Sequence, residues 1–376
     1  MSKAFDSVNR NILFSHLEEI LNPDELHLLH ILTNHPKIQV QVGKTQGEKF
    51  ITLLGIMQGD VLSAILFIFY LACCLRTREI KTIGFVTTPK YADDITFASS
   101  EKQTIDTIKT EVPAILKPYN LIINNTKTEE YTIPQPPPTR KRPDMDTLLK
   151  HKHDKPLWSE LDWLTNVKDI LEEIPNWRKC KLLGSLLGTR NDIKRRKALA
   201  LDALRKLNYI FNSKRISLDL KLRTFSVYVI SIFMYNSELW TLTRSLENEI
   251  DAFQRRMLRY AVGVKWPNKI SSENLYEITK AEKWSKTIKG RRLRWLGHLM
   301  RLPAEAPVKL CLVESLKHKK KPRGHPVTTW LQVVKKDLVD LGVVLDLSKG
   351  EDVLQKLDDL TSDRVDYRRK VRTLMQ

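Results

Sequence analysis

The segment Lys90-Tyr91-Ala92-Asp93-Asp94-Ile95-Thr96-Phe97 constrains this chain more than any other. An aromatic residue, a small residue and two adjacent carboxylates sit between apolar stretches, which reads as two short strands joined by a tight acidic turn. Such a turn pushes carboxylates out of the sheet, where their oxygens suit hard divalent cations. Paired cations held in this way can clamp the attacking and leaving oxygens of a phosphoryl transfer. Asp-Asp pairs are also common in solvated turns, so the weight of the motif rests on its neighbours.

Upstream, Gly55-Ile56-Met57-Gln58-Gly59-Asp60 precedes the apolar run Val61–Leu75. A glutamine flanked by glycines lets the backbone approach a ligand closely before a helix begins. The run itself is too short to span a bilayer and reads as a buried helix. Asn9–Leu21 and Pro23–Asn34 have helical spacing, with Pro23 in the first turn of the second. Ile38–Val42 and Phe50–Leu54 read as strands around a Gly-Lys-Thr-Gln-Gly turn. Thr104–Leu116 reads as a helix interrupted near Pro113, and Leu121–Ile123 as a short strand. Strands and helices mixed without a regular βαβ repeat give an α+β class.

The second half differs in character. Pro134-Gln135-Pro136-Pro137-Pro138 and the basic residues after it form neither helix nor central strand, so the region 131–176 reads as an insertion. From Asn191 to about Met300 the pattern is helical, with helices around 192–211, 217–239, 245–262 and 271–297. Val227–Tyr235 is apolar nearly all round and reads as a buried core helix. Beyond Pro303 a basic linker, Lys317–Arg323, leads to two helices near 327–341 and 350–375.

The formal net charge is +19, and its placement is more telling than its size. Residues 177–215 carry 12 Lys/Arg against 2 Asp/Glu, and residues 291–323 carry 10 against 2. Charge concentrated like this points to a polyanionic partner, because phosphate contacts release condensed counterions. Trp177, Tyr209, Phe211, Trp284 and Trp295 interleave with the basic runs, as on surfaces that combine phosphate contact with stacking. A solubilising face is the rival reading. Four cysteines, two of them adjacent at Cys73-Cys74, make neither a disulfide framework nor a paired zinc spacing and fit a reducing compartment. Cys311, His318 and His325 lack a fourth zinc ligand. Met1 opens onto a polar segment without a signal-peptide pattern, which gives the expectation of a nuclear or cytoplasmic protein with no membrane span.

Taken in order, Lys3-Ala4-Phe5-Asp6-Ser7-Val8, the Gln58-Gly59 segment, Tyr91-Ala92-Asp93-Asp94, Leu121–Glu129 and Cys180–Gly188 resemble the palm motifs of reverse transcriptases. They are most similar to those of non-LTR (LINE-type) retrotransposons. Arg291-Arg292-Leu293-Arg294-Trp295-Leu296-Gly297-His298 and Arg323-Gly324-His325-Pro326 with Trp330 resemble the tail that follows the polymerase in such elements. The resemblance implies a right-hand polymerase palm, an antiparallel sheet with packed helices, followed by a helical thumb and a small basic helical tail. The corresponding ranges are a palm over 1–130, the insertion over 131–176, a hairpin over 177–190, a thumb over 191–302, and the linker and tail helices over 303–376.

The activity implied is RNA-directed DNA polymerisation, in which a primer 3′-hydroxyl is extended with dNTPs by two-metal phosphoryl transfer. Mg²⁺ or Mn²⁺ would be the cofactor, and the partners an RNA template and a DNA primer or target. By resemblance Asp93 is a metal ligand and Asp94 its companion, and Lys127 resembles the lysine proposed to protonate pyrophosphate. Phe5 resembles the aromatic under the sugar that excludes a 2′-hydroxyl, and Gln58 and Gly59 resemble contacts to the incoming nucleotide and template. Lys181 to Gly188, including Lys181 and Gly184 as nucleic-acid contacts, is similar to the hairpin that places the primer end. Arg190, Lys194, Arg195, Arg196 and Lys197 would follow the template–primer duplex, with a merely solvated face as the alternative.

The chain also departs from the family pattern. The family's first motif, Asp-x-Ser-Lys-Ala-Phe-Asp, would place its metal-binding aspartate one position before Met1, and the fingers that precede it are missing. Asp6, read as lying on a period-two strand, faces away from Phe5 and does not inherit that role. Ala64 stands where the family usually has proline. Two expectations follow: a truncated polymerase that is weakly active or inactive, or a remnant that grips nucleic acid without catalysis.

Overall fold

The structure, a computed structural model, describes residues 3–33, 36–76, 90–133, 180–264, 268–317, 328–347 and 350–375. Nearly all of the proline-rich insertion and of the basic linker lies outside the described residues, as do Trp177 and His325. The chain divides into two units, Met1–Glu130 and Tyr131–Gln376.

In the first unit, helix α1 (Arg10–Leu17) starts at Asn9, whose side chain accepts from the N–H groups of Asn11 and Ile12. Helix α2 (Pro23–Thr33) starts with a reciprocal pair in which Glu25 N–H donates to Asn22 and Asn22 N–H to the Glu25 carboxylate. Strands β1 (Lys37–Val42) and β2 (Thr45–Ile51) pair antiparallel. The apolar helix α3 (Val61–Arg76) buries Leu66, Phe67, Tyr70, Leu71 and Cys74 against α1 and against helix α4 (Lys102–Leu116). Tyr70 ties the core together: its hydroxyl donates to Tyr119 O at 2.7 Å and accepts from Asn9 N–H at 3.3 Å. Between α3 and α4 the acidic turn forms a two-by-two ladder, β3 (Lys90–Tyr91) against β4 (Asp94–Ile95).

Several expectations for this unit need correction. β2 begins at Thr45, so the connection is the two-residue turn Gly43-Lys44, made possible by the positive φ of Gly43. Pro113 sits inside α4 without ending it. Leu121–Ile123 is not a strand. Leu121 N–H is taken by Leu116 O as α4 ends, and the apolar alternation reflects a buried Leu121 beside an exposed Ile122. Phe5–Ser7 is a 3₁₀ turn, closed by Ser7 N–H on Lys3 O and Ala4 O. The period-two argument that turned Asp6 away from Phe5 therefore does not apply. Among the described residues the sheets are three separate two-stranded ladders.

Among the described residues of the second unit, hairpin β5 (Lys181–Leu182) and β6 (Ser185–Leu186) is followed by helix α5 (Thr189–Lys206) and the short α6 (Asn208–Asn212). Helix α7 (Leu218–Phe225) passes through a π turn at Ser226–Ile230 into α8 (Ser231–Phe233). Along this stretch Val229, Phe233 and Met234 are buried while Val227, Tyr228 and Tyr235 are exposed, so it buries one face rather than all of its surface. Helix α9 (Arg244–Val262) is followed by α10 (Ser272–Thr279) and α11 (Trp284–Met300). The expected single helix over 271–297 breaks because Lys280 is left-handed and Asp251 accepts from the N–H and hydroxyl of Ser285, giving α11 its own capped start.

Helix α12 (Pro307–Lys317) was not foreseen. Helices α13 (Trp330–Val339), α14 (Gly350–Thr361) and α15 (Arg364–Met375) follow it. The last two were read as one, and they divide where Asp363 accepts from the N–H groups of Val365 and Asp366.

Helix α11 is the spine of this unit. Trp284 and Ile288 at one end belong to the core built on α5, α7 and α9, and Leu293, Leu296 and Met300 belong to the core shared with α12–α15. Two glycines let the C-terminal helix approach it. A Cβ on Gly297 would lie 2.5 Å from the ring of buried Tyr367, whose hydroxyl donates to Leu293 O. A Cβ on Gly290 would meet only the flexible end of Met375, at 2.6 Å. Ala at Gly297 should therefore destabilise by about 1–3 kcal/mol through overpacking, despite its better helix propensity. Ala at Gly290 should be near neutral in the same denaturant titration, because the methionine can move.

Candidate functional site

The first unit contains a cavity of about 430 Å³ lined by Phe5, Gln58, Gly59, Asp60, Ser63 and Ala64. Its walls come from two segments, the turn at Phe5–Ser7 and the loop leading into α3. Arg10 joins them. Although nearly fully buried, its guanidinium donates to Gly55 O (2.6 Å), Thr52 O (2.7 Å), Thr52 Oγ1 (2.8 Å) and Leu54 O (3.1 Å). Two backbone bonds run alongside, Gly55 N–H to Val8 O at 2.8 Å and Ile56 N–H to Phe5 O at 2.9 Å. Gly55 is required on two counts. Its φ is +82°, and a Cβ would lie 2.8 Å from Asp6 Cα.

Phe5 stacks on Phe67 with ring centroids 4.6 Å apart, so its ring is held by the core while one side borders the cavity. Gln58 donates to Asp6 Oδ1 at 3.3 Å, and Gly59 has φ +96° with open space where a Cβ would stand. The first turn of α3, beginning at Val61, borders the cavity through Ser63 and Ala64.

Ala92 holds φ +50° at the acidic turn, a left-handed conformation that costs an alanine roughly 1–2 kcal/mol. Asp93 is half-buried and Asp94 exposed, and Ile95 and Phe97 pack on the same core as Phe5 and Phe67. The two carboxylates are hard oxygen donors of the kind Mg²⁺ or Mn²⁺ takes. Among the described residues, however, no group of three or more His, Cys, Asp or Glu is placed to hold a metal ion. Two neighbouring carboxylates on one turn do not by themselves make a two-ion centre. Lys127 is exposed on a turn organised by Asn124, whose side chain accepts the Lys127 N–H at 3.1 Å.

In the second unit the β5–β6 turn has both Leu183 (φ +47°) and Gly184 (φ +80°) left-handed, the two-residue type I′ geometry. The Gly184 carbonyl is held from α5, where Arg195 and Arg196 each donate to it at 2.6 Å. Arg196 is buried, donates also to Ser185 Oγ and lies 3.7 Å from Asp192. Burial lowers its pKa from the ordinary arginine value. Lys197 pairs with Glu249 at 2.5 Å. The basic face expected over 190–197 is therefore divided: Arg190 and Lys194 are exposed, whereas Arg196 is committed to the interior. Lys181 and Gly184 are exposed on the hairpin. Of the aromatics read as stacking candidates, Phe211 and Trp284 are core and Tyr209 is exposed.

Sequence reasoning missed Arg10 and Asp192. Arg10 occupies a helix position whose neighbours three and four residues on, Leu13 and Phe14, are buried, a signal that periodicity alone assigns to apolar residues, and Asp192 stands one turn before the buried Arg196.

Residues 1–185 match the family model of reverse transcriptase (RNA-dependent DNA polymerase). The matched stretch contains the cavity, the acidic turn and the hairpin as far as Ser185. The family implies a nucleic-acid template and primer with dNTP substrates, and divalent ions as its general cofactors. No curated protein matches the chain. Among the described residues no helix is long and apolar enough to cross a membrane.

The division of the basic face is open to a direct check. Replacing Arg196 with Met leaves the buried Asp192 without its cationic neighbour and should lower stability by about 3 kcal/mol in chemical denaturation. Lys194→Gln, on the surface of the same helix, should stay within about 0.5 kcal/mol of the parent.

Proposed function

We propose that this chain is an RNA-directed DNA polymerase of the non-LTR retrotransposon type, with palm, thumb and basic tail in that order. Its cavity at Phe5, Gln58 and Gly59 receives the incoming deoxynucleotide. The turn carrying Asp93 and Asp94 supplies the catalytic carboxylates, with Lys127 on the pyrophosphate side. The hairpin Lys181–Gly188 receives the primer end, and Arg190 and Lys194 follow the duplex. One observation carries the reading. Phe5 and the Gln58-Gly59 pair, more than fifty residues apart, line one cavity within the stretch matched by the polymerase family.

The Phe5 ring, fixed by its stack on Phe67, is suited to press against a sugar and exclude a 2′-hydroxyl. Gln58 offers an amide able to donate and accept, and Gly59 leaves its backbone open to close approach. A second reading, a nucleic-acid-binding remnant without catalysis, is favoured by one observation: the described carboxylates do not assemble a three-ligand group.

Primer extension on an RNA template with an annealed DNA primer separates the two. We expect incorporation that requires Mg²⁺ or Mn²⁺. Asp93→Asn should abolish it while leaving duplex affinity unchanged, and Phe5→Val should raise ribonucleotide use relative to deoxynucleotide by roughly tenfold. Incorporation that survives Asp93→Asn would overturn the acidic-turn assignment. Duplex binding with no incorporation under any condition would favour the remnant. Binding itself should weaken steeply with salt and be reduced by Lys194→Gln irrespective of sequence.

A further inference from the structure

The segment Tyr235–Thr241, between α8 and α9, holds the hairpin on one side and the C-terminal helices on the other. Towards the hairpin, the Tyr235 hydroxyl donates to Leu183 O at 2.7 Å, and Asn236 Nδ2 donates to Ser185 Oγ at 3.0 Å. The Tyr235 ring also lies 4.4 Å under the Arg196 guanidinium that grips the same turn. Trp240 Nε1 donates to Asp192 Oδ2 at 2.9 Å, while the other oxygen of Asp192 accepts Leu186 N–H at 3.0 Å. Thr241 N–H donates to Thr189 Oγ1 at 3.0 Å, where α5 begins.

Towards the C-terminal helices, Glu238 accepts Arg291 Nε at 3.1 Å through its carboxylate and Trp330 Nε1 at 2.8 Å through its carbonyl. Trp240 O accepts Arg292 Nη1 at 2.7 Å. Arg292 has no exposed surface, and its Nε donates to Asp337 Oδ2 at 2.6 Å. Arg291 and Arg292 thus open the Arg-Arg-Leu-Arg-Trp-Leu-Gly-His stretch by anchoring this segment rather than by offering a free basic face.

We infer that Tyr235–Thr241 is a two-sided clamp that fixes the pose of the Lys181–Gly188 hairpin, with Tyr235 and Trp240 as positioning residues and the C-terminal helices as the anchor. Two physical arguments carry it. The hairpin turn places a non-glycine residue, Leu183, at positive φ, and such a conformation persists only where the surroundings over-determine it. Here both turn carbonyls are held, one by Tyr235 and one by Arg195 and Arg196. A two-stranded hairpin of this size is also marginal in water, so its geometry is set by what grips it. The grip at Trp240 is a polar chain in which every link is buried or half-buried, where hydrogen bonds are strongest and an orphaned group is most costly. The assignment of the primer end to this hairpin rests on the proposed polymerase reading, but the clamp does not.

The test uses the full chain and two readouts. Amide hydrogen exchange over residues 182–186 is compared in the parent, Tyr235→Phe, Trp330→Phe and Arg292→Lys. The same proteins are photo-crosslinked to a DNA primer carrying 4-thiothymidine at its 3′ end, annealed to an RNA template. Tyr235→Phe and Trp330→Phe each remove one donor and should leave the fold intact, even if Arg292→Lys does not fold. Each should accelerate hairpin exchange by roughly fivefold, the loss expected for one hydrogen bond. Each should also reduce the crosslink to residues 181–188 severalfold, with no change in overall primer–template Kd. Unchanged exchange in both Tyr235→Phe and Trp330→Phe would overturn the clamp. Faster exchange with an undiminished crosslink would overturn the positioning role. A parent that gives no hairpin crosslink, while exchange still responds to the variants, would sustain the clamp and refute the primer-end reading instead.

Discussion

The candidate site of the first unit depends on one buried guanidinium. Arg10 reaches four acceptors within 3.1 Å, all in the loop from Thr52 to Gly55, and so fastens that loop to the segment carrying Phe5. A guanidinium suits this task because its donors lie in a rigid plane and can satisfy several carbonyls at once, which an ammonium on a flexible stem cannot do. The bonds also satisfy a buried charge that, among the described residues, forms no ion pair with a carboxylate. Downstream of this fastening the chain reverses at Gly55, passes Gln58 and Gly59 along the cavity and enters α3. The aromatic stack of Phe5 on Phe67 then closes the other wall.

Buried arginines shape the second unit as well. Arg196 organises the hairpin turn, and Arg292 joins Trp240 to Asp337. This changes how the charge of the chain is understood. Concentrated Lys and Arg at 177–215 and 291–323 points to a polyanion, yet part of that charge is structural and turned inward. Exposed Arg190 and Lys194 are what a phosphate backbone could reach on the first turns of α5. A basic count along the sequence cannot separate the two populations, because burial of an arginine is decided by acceptors that arrive from distant segments.

The parts of the fold legible in the sequence are those determined locally. The apolar run that becomes α3, the Pro23 start of α2 and the tight turn at Ala92-Asp93 follow from short-range pattern and turn chemistry, whereas the hairpin over 181–188 was expected only through the family resemblance. Less legible were features fixed by partners far away in the chain. α11 begins where it does because Asp251 and Gln254 of another helix accept its first N–H groups, and Leu121 is buried by α4 rather than by a strand neighbour. The 3₁₀ turn at Phe5–Ser7 was read as strand because three residues are too few to reveal a period. In the candidate site, Phe5, Gln58 and Gly59 could be named from the sequence. Arg10, which brings them together, could not, since its position on the apolar face of α1 is one that periodicity assigns to an apolar residue rather than to a buried guanidinium.

The most direct test of this account is the affinity of the chain for a fluorescent dNTP, measured by anisotropy in Mg²⁺ for the parent and for Arg10→Lys. The substitution keeps the positive charge and removes the planar fork that fastens the Thr52–Gly55 loop. If that fastening builds the nucleotide pocket, the variant should bind at least about tenfold more weakly, the loss expected for one or two charge-assisted hydrogen bonds. Equal affinity in the two proteins would contradict the claim that the loop docked by Arg10 forms the nucleotide site.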